Sequence, residues 1–214
     1  MLYQPRHNSE LLEAELSYHG ELCRAMTWLG EQDKTVFLGQ GVGNPGIAFS
    51  DTFAGVPAEK RVEFPVAEEM QVGMSIGMSL NGYVPICIIP RWNFMLRAAD
   101  QIVNHLDRLP LYSTGGYRPK VIIRVATPSV SPFNPGPQHD ADFSEAFRLM
   151  LRTTEVVTLT QADDIVPAYR RAFDSPSSSI LCEFTDRYRD ERGKAKWPTT
   201  SSSTQARAYQ SPQR

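Results

Sequence analysis

The stretch Tyr83-Val-Pro-Ile-Cys-Ile-Ile89 decides how the whole chain is interpreted. It is a continuous apolar run of strand length, and it follows Gly82, a residue type that commonly ends helices. A strand with one face in water alternates apolar and polar residues, whereas an uninterrupted apolar run is typical of a strand buried on both faces of a parallel sheet. The run therefore predicts a central parallel strand with helices packed above and below it.

Helical and strand patterns alternate on both sides of this run. Further strands are expected at residues 35–38, 61–64, 121–125, 156–159 and 180–183, with helices at 9–30, 68–81, 93–109, 143–151 and 164–173. Strands separated by helices are joined through right-handed crossovers. The pattern therefore predicts an α/β fold, a three-layer doubly wound parallel sheet of about six strands with helices on both faces.

The composition of the 214 residues, 41% hydrophobic and 21% charged, predicts a globular chain with one sizeable core. A formal net charge of −2 disfavours nucleic acid or an anionic membrane surface as a partner. The longest apolar run is too short to cross a bilayer, and the N-terminus lacks a signal-like apolar region, so we expect a cytoplasmic protein. Three widely spaced cysteines predict buried, reduced thiols and no metal site.

The composition changes at residue 185, so we expect two regions. Residues 185–214 carry seven Lys or Arg against three Asp or Glu and end in a Ser-, Thr- and Gln-rich stretch, which predicts a basic, flexible tail. Residues 1–184 are expected to form the folded domain.

Two glycine patterns suggest specific backbone roles. Gly41-Val-Gly-Asn-Pro-Gly46 follows a strand and resembles a dinucleotide-binding loop, but no helical pattern follows it, so an irregular loop is favoured. Gly73 and Gly77 lie four residues apart on the helix that begins at Glu68. Glycine weakens a helix, so this spacing predicts a bare helix face that approaches a neighbour closely.

Four side chains are expected where strands end, the edge at which open α/β sheets bind ligands. Glu68 could simply complement a helix dipole, and His139 could be an ordinary loop residue. Trp92 and Phe94 could belong to the core. Because all four are expected at this ligand-binding edge, they are candidate catalytic or binding residues. His7, His19 and His105 have no acidic or cysteine partner at ligand spacing and are interpreted as surface or packing residues.

Four segments in order resemble the pyrimidine-binding domain of thiamine diphosphate enzymes, as found in beta subunits of 2-oxoacid dehydrogenases and in transketolases. They are Glu63-Phe-Pro-Val-Ala-Glu68 with Gly73, residues 85–90 followed by Trp92-Asn-Phe94, Ala99-Asp-Gln-Ile-Val-Asn104, and Gly136-Pro-Gln-His139. The resemblance covers about residues 10–184. It implies a pyrimidine-binding subunit acting on a 2-oxo acid, by decarboxylation or by acyl or ketol transfer.

The resemblance also implies roles for individual residues. Glu68 matches the glutamate that shares a proton with the pyrimidine ring, and Phe94 matches the aromatic residue that stacks on that ring. Trp92 is expected to line the same region as a second cofactor-binding residue. His139 matches the histidine that faces the reacting carbonyl. Gln40 departs from the family, which commonly has an acidic residue after the first strand.

The family's carboxyl-terminal domain and its Gly-Asp-Gly signature for magnesium and diphosphate do not occur in this sequence. We therefore expect a separate alpha-type chain to hold Mg²⁺ and the diphosphate, the two chains to form a heterotetramer, and the lone chain to bind cofactor poorly. Three alternatives remain open: a transketolase-type subunit that transfers a sugar phosphate, a non-catalytic regulatory subunit, and a nucleotide-binding oxidoreductase. For a sugar phosphate, this chain offers Arg91, Arg97 and Arg124.

Overall fold

The computed structural model describes residues 17–44, 47–127 and 136–189. In this part of the chain six parallel strands form one sheet in the order β2-β1-β3-β4-β6-β5. The strands are β1 (Thr35–Gly39), β2 (Arg61–Glu63), β3 (Val84–Ile89), β4 (Ile122–Thr127), β5 (Glu155–Thr158) and β6 (Ser179–Phe184). The prediction of a doubly wound parallel sheet of about six strands is confirmed.

Helices cover both faces of the sheet. They are α1 (Tyr18–Glu31), α2 (Glu68–Leu80), α3 (Trp92–Met95), α4 (Leu109–Tyr112), α5 (Ser144–Met150) and α6 (Ala162–Asp174). Helices α1 and α6 pack on one face, whereas α2, α3 and α5 pack on the other. Ser17 starts α1, because its hydroxyl accepts the Gly20 N–H at 3.0 Å. The part of the predicted first helix before Ser17 lies outside the described residues.

Strand β3 supplies both layers of the core, as its apolar run predicts. Ile86 and Ile88 face the α1 and α6 layer, while Cys87 and Ile89 face the α2 and α5 layer. All four side chains have no exposed surface. Because successive strand residues point to opposite faces, only an unbroken apolar run can fill both cores at once.

The segment after β3 is less regular than the single helix predicted for residues 93–109. Helix α3 passes through a 3₁₀ turn (Leu96–Ala98) into a π-helix (Gln101–Leu106), where the Asp107 N–H donates to the Ile102 carbonyl, five residues back, at 2.9 Å. This wider turn places His105 3.5 Å from the Asp100 carboxylate. In an α-helix, residues five apart lie about 140° apart around the axis, which explains why this acidic partner escaped the sequence pattern.

The segment after β6 continues the packed fold. A 3₁₀ turn spans Thr185–Arg189, and its Tyr188 ring packs near Tyr18 and Phe49, at centroid distances of 6.1 and 6.2 Å. The first five residues of the predicted flexible tail are therefore ordered against the core. Residues 190–214 lie outside the described residues.

A buried ion pair lies within the α1 and α6 layer. Arg124 on β4 and Glu183 on β6 have no exposed surface, and Arg124 Nη2 donates to Glu183 Oε2 at 2.8 Å. The hydroxyl groups of Thr52, Tyr169 and Tyr188 complete the network. Burial opposes the charge of Arg124, but the Glu183 carboxylate outweighs it and raises the pKa of Arg124 above its usual value. Arg124 is therefore a core residue and cannot contact a sugar phosphate.

The cysteines are free thiols, and Cys87 and Cys182 are buried as predicted. Cys23 is only half-buried, and its Sγ lies 3.7 Å from His19 Nδ1, so the expectation that His19 has no cysteine partner is wrong. Burial raises the pKa of Cys23 and of Cys87 to about 11. Within the described ranges, no helix has both the length and the apolar character needed to span a bilayer. The same ranges hold no cluster of three metal-ligating side chains.

Candidate active site

The candidate site lies at the carboxyl edge of the sheet, where the strand order reverses between β1 and β3. Successive connections leave this point in opposite directions, which opens a crevice outside the strand ends. Gln40 follows β1, Glu68 follows β2 and Arg91 follows β3, while His139 belongs to the connection after β4. The topology thus brings together residues that are far apart in sequence.

Glu68 is the buried acid of this crevice. It begins α2 and is only 1% exposed. Gln40 Nε2 donates to its Oε1 at 3.3 Å, and Arg97 Nε lies 3.8 Å from its Oε2. Within the described chain, Oε2 itself has no hydrogen-bond partner. A buried carboxylate oxygen without a donor is costly, so this atom is available to a ligand that brings a hydrogen-bonding nitrogen.

Gln71 fixes the start of α2 over the crevice. It has no exposed surface, and its Nε2 donates to the carbonyls of Ile88 at 2.8 Å and Leu38 at 3.3 Å. These carbonyls belong to β3 and β1, the two strands that border the reversal of strand order. The Glu68 carboxyl is therefore held in place by the sheet itself, one helical turn from Gln71.

Glu63 organises the glycine loop that carries Gln40. Its carboxylate accepts the N–H groups of Gly41, Gly43 and Asn44 at 2.8, 2.7 and 3.0 Å. Although partial burial opposes the shift, these backbone donors hold the pKa of Glu63 below its usual range. Gly41 has φ +69°, and a Cβ there would collide with Ile47. Glu63 already occupies the donors that a dinucleotide phosphate would need, which supports the interpretation of this stretch as an irregular loop.

Phe94 and His139 form the second group of the site. Their ring centroids lie 5.3 Å apart with an interplanar angle of 70°, and Arg91 Nη1 donates to the His139 carbonyl at 3.3 Å. The Nδ1 atom of His139 has no partner among the described residues. Phe94 is half-buried, so part of its ring remains available to a ligand.

Trp92 lies elsewhere than expected. Its side chain has no exposed surface and packs against Phe147, with ring centroids 5.3 Å apart. The α2 and α5 layer of the core encloses it, so it presents no surface to a cofactor. The expectation that Trp92 lines the cofactor region is corrected on this ground, and the half-buried Phe94 remains as the aromatic residue of the segment with surface available to a ligand.

One short segment connects the two groups. Phe94 contacts His139, while Arg97, three residues further along, contacts both Glu68 and Glu69, with Nη2 at 3.3 Å from Glu69 Oε1. The sequence patterns did not identify the roles of Gln40, Glu63, Gln71 or Arg97. A usable signal for Gln40 and Glu63 was their position at strand ends, because polar residues at the carboxyl ends of parallel strands converge.

A family model described as "Transketolase, pyrimidine binding domain" matches residues 16–190. The beta subunit of 3-methyl-2-oxobutanoate dehydrogenase from Mycobacterium tuberculosis (strain ATCC 25618 / H37Rv) is 25% identical over 166 residues, which cover 75% of this chain and 46% of that protein. The mitochondrial pyruvate dehydrogenase E1 component subunit beta from Chaetomium thermophilum is 29% identical over 126 residues, or 58% of this chain and 32% of that protein.

A solved structure titled "Split gene transketolase, inactive beta4 tetramer" superimposes with a TM-score of 0.62 at 18% sequence identity. The match covers 80% of this chain and 52% of that one, and it supports the fold. The chain spans less than half the length of the two curated relatives. The family match, by contrast, extends over residues 16–190, which include all the described residues, and the chain therefore belongs to the family of transketolase-type pyrimidine-binding domains.

Proposed function

We propose that this chain is the pyrimidine-binding subunit of a two-chain thiamine diphosphate enzyme that acts on a 2-oxo acid. The observation that carries the proposal is the buried Glu68 carboxyl, whose Oε2 lacks a hydrogen-bond partner among the described residues. The relatives named as 2-oxoacid dehydrogenase beta subunits support the substrate class.

The residues present fit an aminopyrimidine ring. Glu68 offers the open oxygen that a ring nitrogen needs, and Phe94 offers a half-buried aromatic surface. When bound, thiamine diphosphate supplies the nucleophile and the electron sink for breaking a bond next to a carbonyl group. In this proposal the partner chain holds its Mg²⁺ and diphosphate.

Each side chain of the site then has a task that its geometry permits. Glu68 holds or releases a proton at Oε2, while Gln40 keeps Oε1 oriented by hydrogen bonding. Phe94 packs against the ring. His139, through a nitrogen that is free of partners within the described chain, hydrogen-bonds to the carbonyl oxygen and stabilises its developing charge.

The exposed face of α2 supports a partner chain. A Cβ atom added at Gly73 or at Gly77 would meet nothing within 4 Å, so the close neighbour predicted for this face does not come from the described chain. Met70 and Met74 beside it are 58% and 39% exposed. We infer that an alpha-type chain packs here and that two such pairs form a heterotetramer. A cytoplasmic location remains part of the proposal.

A second candidate is a transketolase-type subunit that transfers a ketol unit between sugar phosphates. The similar structure titled as a split-gene transketolase favours it. A purely regulatory role is disfavoured, because Glu68, Phe94 and His139 all remain at the crevice.

Glu68→Gln tests the proposal. We expect turnover of the assembled enzyme to fall by at least about 100-fold, since the amide cannot exchange a proton, while assembly with the diphosphate-binding chain is unchanged. Pull-down would measure assembly, and decarboxylation of pyruvate and 3-methyl-2-oxobutanoate would measure turnover. Glu155→Gln, an exposed acid at the opposite sheet edge, is the matched control. Retention of most activity by the Glu68 variant would contradict the proposal.

A further inference from the structure

The three arginines considered for an anionic substrate group differ in their partners. Arg124 is paired with Glu183 inside the core, and Arg97 lies against the carboxylates of Glu68 and Glu69. Arg91 is different, because no carboxylate of the described residues lies within ion-pair distance of its guanidinium group. Among the described residues, its side chain donates a hydrogen bond from Nη1 to the His139 carbonyl, at 3.3 Å.

The position of Arg91 makes this unneutralised charge significant. The residue joins β3 to α3 and is half-buried at the carboxyl edge of the sheet. A partly desolvated cation without a counter-ion is destabilised, and it is relieved by an anion that accepts its hydrogen bonds. A guanidinium group has five N–H donors, so the bond to one carbonyl leaves donors for a carboxylate or a phosphate.

The contacts of Arg91 would place such an anion beside His139, the side chain proposed to bind the substrate carbonyl. Arg91 holds the His139 backbone, and the His139 ring packs against Phe94 at 5.3 Å. An anion bound by Arg91 would therefore belong to a molecule whose other atoms reach His139. Arg97 cannot replace it in this role without giving up Glu68 and Glu69.

The geometry points to Arg91 as the residue that binds an anionic group, a carboxylate or a phosphate, of the carbonyl substrate. The identity of that molecule as substrate rests on the proposed function, whereas the anion site itself does not.

The lone chain provides the first test. We would titrate the isotopically labelled chain with sodium acetate and, separately, with inorganic phosphate at constant ionic strength. NMR would follow the Arg91 Nε–H and the His139 ring. We expect saturable shifts at both, and a loss of affinity of roughly tenfold or more in Arg91→Met, read at the His139 ring. Arg91→Lys should recover part of the affinity, because the charge remains but the planar donor pair is lost.

Arg118→Met is the matched control. Arg118 is an exposed arginine that precedes β4, at the opposite edge of the sheet, so its variant should bind both anions as the wild type does. Tighter binding of phosphate than of acetate would assign a phosphorylated substrate, and equal or tighter binding of acetate would assign a carboxylate. Absence of shifts with both anions, or unchanged His139 shifts in Arg91→Met, would overturn the site.

The assembled enzyme separates this inference from the proposed function. Arg91→Met loses its bond to the His139 carbonyl with every substrate, so the anion site is judged by the difference between two substrates: KM for the anionic substrate should rise about tenfold or more relative to the change in KM for an uncharged aldehyde. If the Arg91→Met complex turned over the anionic substrate with a wild-type KM, the role of Arg91 would be overturned but the proposed function would stand. A wild-type complex without turnover of any carbonyl compound would overturn the proposed function, while the lone-chain titration would still decide the anion site.

Discussion

The amide of Gln40 is the neutral hydrogen-bond donor to a carboxyl group that is otherwise enclosed by protein. An acid at this position would place a second carboxyl group within hydrogen-bond distance of Glu68, and two such groups cannot both ionise freely. Gln40 avoids this competition and fixes the orientation of Oε1. The departure from the family at this position is therefore compatible with a working Glu68.

Gln40→Leu should lower turnover of the assembled enzyme roughly tenfold to 100-fold, because Glu68 loses a hydrogen bond worth about 1.5–3 kcal/mol. Assembly and the substrate KM should stay near their wild-type values. Steady-state kinetics of the complex would measure both parameters, with Gln161→Leu, an exposed glutamine before α6, as the control. A variant with wild-type kcat would remove Gln40 from its positioning role.

At the scale of elements, substitutions on the open face of α2 should affect assembly with the partner chain without impairing folding of the lone chain. Gly77→Ala should stabilise the lone chain by up to about 1 kcal/mol, because alanine favours helices more than glycine and its methyl group meets no neighbour. Gly77→Leu should fold equally well but weaken the complex with the partner chain at least tenfold, because its side chain would block close helix approach.

Urea denaturation would measure the free energy of unfolding, and biolayer interferometry the affinity for the partner chain. Arg171→Leu, at an exposed position on α6 in the other helical layer, is the control. If Gly77→Leu bound the partner with wild-type affinity, α2 would not be the assembly surface.

The elements that sequence patterns predicted best are those with a single regular period. The apolar run of β3 and the helical spacing of α2 predicted both elements. A strand buried on both faces needs consecutive apolar residues, and a helix buried on one face needs apolar residues at helical spacing, so both appear directly in the sequence.

The site was only partly predictable. Glu68 and His139 were singled out by their position where strands end, and the resemblance then implied their roles. Gln71 donates to backbone carbonyls of β1 and β3, and Glu63 accepts backbone N–H groups of the loop after β1. The partners in such contacts are far apart in sequence, so a local pattern does not identify the contact.

The misplacement of Trp92 has a physical cause of the same kind. Trp92 and Phe94 are two residues apart in a short helix, so they point in different directions around its axis. A sequence motif that names both cannot say which one faces the core. Packing against Phe147 resolves the question for Trp92.

At the scale of the molecule, the Arg124 and Glu183 pair ties the sheet to the elements around it. It bonds to Thr52 before β2, Tyr169 on α6 and Tyr188 after β6. Arg124→Met should lower the free energy of unfolding by about 3–5 kcal/mol, because the buried Glu183 carboxyl would lose its ion-pair partner. The double variant Arg124→Met with Glu183→Leu should recover most of that loss, since replacing both charges removes the unpaired one.

Equilibrium urea denaturation of the lone chain would measure these differences. A loss below 1 kcal/mol in the single variant would show that the pair contributes little to stability. Equal destabilisation of the single and double variants would instead assign the effect to packing, with the charges playing no part.

The π-helix has a consequence for how rigidly the site is framed. Its looser winding sets the direction in which Asp107 leaves the helix. This fully buried carboxylate accepts the N–H groups of Arg152, Thr153 and Thr154 at 3.0, 2.8 and 2.8 Å. Deleting one residue from Gln101–Leu106 would rewind the segment and swing that carboxylate away from the bend between α5 and β5. The wider turn of the π-helix thus fixes the orientation of Asp107 relative to the crevice residues that precede it, and through Asp107 it ties the crevice segment to the turn before β5.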